Sequence, residues 1–149
     1  MDELDDFTIG LYSWGQSISI AVSGLLVIDA TSNWDKNWLR TKISVQAGAF
    51  SGIYDADLTT FDFENFKRDL NLLYENLHSE IEFKDLEGYL YMKIKGNGLG
   101  NINAEISCTD NPGVYSTTLD FELDFDQTYI KPVLQKLNNI TNKYPVVVY

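Results

Sequence analysis

His78 and Cys108 are the only histidine and the only cysteine in the chain, so a conventional nucleophilic or acid–base centre would have to start from them. Most such mechanisms need two or three convergent groups. His78 stands beside Ser79 and Glu80 at the end of a helical stretch, the setting of a surface residue that closes a helix. Cys108 falls at a core-facing parity of a strand, where a thiol is small, buried and inert. One histidine and one cysteine offer no zinc spacing and no internal disulfide, which fits a reducing cytoplasm. Asp55-Ala56-Asp57 resembles the start of a calcium loop. However, Thr60 stands where that loop needs glycine, and no glutamate closes it. Gly96-Asn97-Gly98-Leu99-Gly100 departs from the dinucleotide fingerprint in spacing and lies between strands, so it reads as a hairpin turn. A carboxylate pair could hydrolyse a glycoside, but nothing singles one out among 22 acids. The chain therefore reads as a binding protein, with no catalytic residue, metal or cofactor.

Charge is the stronger signal. Eleven basic against 22 acidic residues leave a net charge of −11, a field that repels nucleic acid and anionic membrane and attracts a basic protein. Asp120, Glu122 and Asp124 alternate along a strand and share one face at roughly 7 Å spacing, with Glu105 nearby on the paired strand. The stripe is either a solvated face, partly neutralised by Lys93 and Lys95, or a surface presented to a basic partner. Aromatic residues add a second signal. A tryptophan in a polar turn can anchor a partner, though more often it roofs a core. Trp38 reads as core, whereas Trp34, in the turn 33–37, remains open as a partner contact. The partner-binding candidates are thus Asp120, Glu122, Asp124, Glu105 and Trp34.

Antiparallel strands and two helices must position these residues. Ile18, Ile20 and Val22 alternate with polar or small neighbours, as do Ile43, Val45 and Ala47, a strand period of two. Residues 24–30 are apolar on both parities and read as a strand covered on both faces. Phe63, Phe66, Leu70, Leu73, Tyr74 and Leu77 form a helical stripe, with Thr60 or Asp62 as N-cap and an end near His78 and Ser79. Strands resume with Ile81 and Phe83, with Leu90, Met92 and Ile94, with Ile102 to Cys108, and with Leu119 to Phe125. Short turns at 96–100 and 110–113 would pair Ile94 with Ile102 and Ala104 with Leu119. That register puts Met92, Ala104 and Leu119 on the buried face, and Lys93, Asn103 and Asp120 in one polar row. Tyr129, Val133, Leu134, Leu137 and Ile140 predict a C-terminal helix that starts at Asp126 or Thr128, and residues 146–149 suggest a last strand.

The fold class that follows is α+β: a mainly antiparallel, strongly curved meander sheet with one amphipathic helix mid-chain and one at the C-terminus. Residues 1–149 read as one domain. The acidic N-terminus and short apolar runs predict a cytoplasmic protein without a signal peptide or membrane span.

The wording of several segments resembles the WapI-type immunity proteins of bacterial contact-dependent toxin systems. Trp38 precedes a strand leading to Gly48-Ala49-Phe50-Ser51-Gly52 and Leu58. A helix with Phe66, Leu70 and Leu73-Tyr74 follows. Residues 87–94, the glycine turn, and Leu119 through Asp126-Gln127-Thr128-Tyr129-Ile130 complete the likeness, which ends at Lys143-Tyr144-Pro145. It covers roughly residues 38–145 and implies a small cytoplasmic protein that binds and blocks a cognate toxin, often an RNA-cleaving nuclease. The resemblance carries no shared catalytic residues. Asp126, Gln127 and Thr128 match it, but their place at a strand-to-helix junction also explains them as caps. A small-ligand or carbohydrate-binding module is the alternative, which a deep pocket ringed by Trp34, Trp38 and paired carboxylates would favour.

Overall fold

The computed structural model describes residues 5–148. Two antiparallel four-stranded sheets share one apolar interior with two helices. The first sheet, A, consists of β1 (Thr8–Ser13), β2 (Gln16–Leu25), β3 (Trp38–Ala47) and β4 (Phe50–Thr59), in chain order. Helix α1 (Thr60–Glu75) leads away from it. Sheet B follows, with β5 (Glu80–Lys84), β6 (Leu90–Gly96), β7 (Asn101–Thr109) and β8 (Thr118–Asp126), again in chain order. Helix α2 (Ile130–Lys143) closes the chain and packs on α1.

The α+β class, the antiparallel pairing and both helices match the sequence expectation. The meander order is kept within each sheet, and the break between the two sheets lies at α1. A helix between β4 and β5 removes the chain from the edge of sheet A before it can add a fifth strand.

Hydrophobic periodicity places the core. Ile18, Ile20, Leu39, Ile43 and Leu58 from sheet A meet Met92, Ile94, Ile102 and Ala104 from sheet B, together with Phe63, Phe66 and Leu70 of α1 and Leu137 of α2. Phe66 meets Phe83 edge to face, with ring centres 5.2 Å apart, and so ties α1 to β5. Burying each such side chain contributes about 1.5–3 kcal/mol.

Several local expectations are corrected. Residues 24–30 do not form a doubly covered strand: β2 ends at Leu25, and Ile28 is exposed in the loop beyond. The cap of α1 is Thr59, one residue earlier than expected. Its hydroxyl accepts from the Asp62 amide at 3.3 Å while Asp62 accepts from the Thr59 amide at 2.8 Å, a reciprocal capping box. The helix stops at Glu75, before His78, and Tyr74 and Tyr129 lie outside their buried stripes. Residues 145–148 form no strand. Instead the Val147 backbone exchanges hydrogen bonds with the Asn37 side chain, and Val148 accepts from Asn33.

Both predicted registers in sheet B slip by an even number of residues. Ile94 pairs with Ala104 rather than Ile102, and Ala104 pairs with Leu123 rather than Leu119. The second turn is the larger error, because the loop after Thr109 runs to Thr117 instead of closing at Gly113. An even slip preserves parity, so every side chain keeps its predicted face. Met92 and Ala104 are buried and Leu119 is partly so.

Candidate partner-binding surface

Parity along β8 sends Leu123 and Phe125 inward, which forces Asp120, Glu122 and Asp124 outward, where all three are exposed. The true register gives this face its electrostatics. Glu122 sits directly opposite Glu105, which in turn faces Lys93. Lys95, Asn103 and Asp124 form the next row; Tyr91, Ser107 and Asp120 form another. The predicted row of Lys93, Asn103 and Asp120 is thereby replaced. Like charges directly opposite one another are destabilising unless a counter-ion reaches them. Lys93 leans the other way, to Glu80 on β5 at 3.6 Å. Among the described residues, none of Glu105, Asp120, Glu122 and Asp124 has an ion-pair partner. Asn103 donates to Asp124 at 2.9 Å, the one side-chain hydrogen bond that these four acids share with a neighbour. A shallow groove of about 350 Å³ runs between the strands, bordered by Tyr91, Glu105, Ser107, Asp120 and Glu122.

The structure brings four of the five candidates together and separates the fifth. Trp34 is half-buried, meeting Trp38 edge to face with ring centres 5.8 Å apart and stacking on Phe61 at 6.2 Å. It borders a different groove, with Asp62, Lys84 and Asp85. This groove partly resembles the pocket expected of a ligand-binding module, but its carboxylates serve the backbone. Asp62 completes the α1 capping box. Asp85, 3% exposed, accepts from the amides of Glu87, Gly88, Tyr89 and Leu90 at 2.9–3.2 Å. The short run Asp85-Leu86-Glu87-Gly88 before a strand was the available sequence signal for this anchor.

Trp14 is the residue that sequence reasoning missed. It roofs no core: at the tip of the β1–β2 hairpin its side chain is 98% exposed. The hairpin adjoins β8, and the Gln16 side chain donates to the Glu122 carbonyl at 3.0 Å, so the indole lies beside the acidic strand. Position within a glycine turn between alternating segments could have marked it as a tip.

The residues considered for catalysis remain apart. His78 is exposed, its ring lying over Gly98. Cys108 is buried against the Tyr54 hydroxyl, and burial pushes its thiol up to about 11, away from the reactive thiolate. Asp126 accepts from the Thr128 amide at 2.9 Å, which gives the Asp-Gln-Thr segment its capping role. No helix among the described residues is long and apolar enough to cross a membrane.

The chain is similar to the solved structure of the plant transcriptional regulator PBF-2, at 9% identity and a TM-score of 0.45, over 92% of this chain and 80% of that one. At that distance the likeness says nothing of what this chain binds. No curated protein matches it. Residues 5–145, nearly the whole chain, match the family described as immunity protein WapI-like, which extends the likeness read from residues 38–145 through the first two strands. The chain belongs to the WapI-like immunity protein family.

Proposed function

We propose that this chain acts in the cytosol as an immunity protein, neutralising a cognate toxin by covering its basic substrate cleft with the outer face of β7 and β8. The observation that carries this reading is the uncompensated set Glu105, Asp120, Glu122 and Asp124. A solvated face gains nothing from facing Glu105 with Glu122, whereas a basic partner relieves that repulsion on binding. A nuclease domain that holds RNA presents such a basic cleft, because phosphate contacts dominate its affinity. Inhibition then requires only occupation of the cleft, with no catalytic step and no cofactor. The test is co-expression with the cognate toxin domain. Unaltered protein should restore growth, and the Asp120, Glu122 and Asp124 to Lys triple variant should not, while melting as a folded protein. Full protection by that variant would place the contact elsewhere.

A further inference from the structure

Trp14 has no structural role that accounts for it. An indole contributes to folding by burial, and this one remains 98% exposed. Its surroundings are selective. Tyr12, Tyr129, Asp124 and Asp126 line the same groove, about 450 Å³ in volume, and neither lysine nor arginine borders it. Gly10 keeps the Tyr12 ring in place, since a Cβ there would come within 2.7 Å of the Tyr12 hydroxyl. Each carboxylate uses one oxygen internally, Asp124 Oδ1 with Asn103 and Asp126 Oδ1 with the Thr128 amide. That amide, together with the Thr128 hydroxyl, holds the Asp126 carboxyl below the usual carboxylate range, so it remains charged. The groove is therefore walled by aromatic rings and carries two carboxylates.

We infer that this groove seats an arginine side chain of the basic partner, its guanidinium lying against Trp14 and hydrogen-bonded to Asp124 and Asp126. A flat guanidinium can stack on an indole while its edge donates to carboxylates; a lysine ammonium does the second but stacks poorly. A neutral sugar would use the rings and leave both charges unanswered. The partner's identity rests on the toxin-binding reading, but the groove's preference can be tested without it.

The isotope-labelled full chain is titrated with the peptide acetyl-Gly-Arg-Gly-amide and, separately, with its citrulline counterpart, which is neutral and nearly the same shape. The arginine peptide should move the Trp14 indole signal and the amides of Gly15, Asp124 and Tyr129, with citrulline shifts at least about fivefold smaller. The Asp124→Asn, Asp126→Asn variant should abolish the difference. Equal responses to the two peptides, or shifts confined to Glu105 and Asp120 with Trp14 unmoved, would overturn the inference. Against the toxin domain, Trp14→Ala should weaken binding about tenfold or more. Unchanged toxin binding by Trp14→Ala would overturn the arginine seat and leave the immunity reading standing. Failure of the unaltered chain to bind the toxin would end that reading, while the peptide result still decides the groove.

Discussion

Sheets A and B are built alike, each a four-stranded antiparallel meander with one face on the same core, yet their outer faces differ in kind. Across sheet A two outward rows carry no charge: Tyr12, Ser17, Gln46 and Ser51 in one, Gly10, Ser19, Ser44 and Ile53 in the next. Where acids do appear, basic residues stand opposite them: Lys42 reaches Asp55 at 3.8 Å, and Arg40 faces Asp57. Across sheet B the rows read Glu82, Lys93, Glu105, Glu122 and Glu80, Lys95, Asn103, Asp124. The lysines stand on β6, and the acids of β8 have none beside them. Acidity kept only for solubility would not need to gather on one edge strand of one sheet. The distribution therefore supports partner recognition more than the net charge alone does.

The comparison can be broken most severely through the frame of sheet B. Gly96 closes β6 beside the end of α1, and a Cβ there would run into the Leu77 carbonyl oxygen. Gly96→Ala should lower stability by about 2–4 kcal/mol, read as a lower urea midpoint. The acidic face depends on this frame, so toxin affinity should fall with it.

A sharper test leaves both frames intact. Reversing Asp120, Glu122 and Asp124 to Lys should slow toxin association about tenfold or more at low salt, with a smaller change in dissociation, as rapid mixing would show. Added salt should narrow the gap, since screening acts on long-range attraction. A change of equal charge on sheet A, with Gln46, Ser51, Asp55 and Asp57 to Lys, should slow association by less than about threefold. Equal effects from the two faces would mean that net charge steers the encounter and that neither sheet is singled out.

The smallest effect concerns the junction between the sheets. Burial raises the Asp62 carboxyl to about 6, against the pull of its hydrogen bonds with Thr59. Its folded value thus lies above the unfolded value near 4. The folded state holds the proton more tightly, so this contribution to stability is present below about pH 4 and lost as pH rises to about 6. Asp62→Asn, which keeps an oxygen for the Thr59 amide, should flatten that part of a stability–pH curve. An unchanged slope would place the titration on another group.

Sequence reasoning reached the faces of the strands but not their neighbours. Parity alone put Asp120, Glu122 and Asp124 on the outer face, because alternation is fixed by covalent geometry. Which residue faces Glu105 depends on loop length, and the loop after Thr109 is four residues longer than its Asp-Asn-Pro-Gly signal suggests. The direct Glu105–Glu122 opposition was hidden for that reason. Trp14 was hidden for a different one: its glycine turn marks a hairpin tip, but which strand of the other sheet that tip adjoins depends on long-range packing. The separation of Trp34 from the acidic stripe was hidden too, because the Phe61 ring on which it stacks comes from α1.

Contact between the toxin and the outer face of β7 and β8 is read by a footprint on the folded complex. With the toxin domain bound at saturation, amide signals of the isotope-labelled chain are compared with those of the free protein. The largest shifts are expected at Glu105, at residues 120–124 and at Trp14, with Ser19, Ser44 and Ile53 on sheet A unchanged. A footprint centred on sheet A or on α1, with the β8 signals unmoved, would contradict that contact.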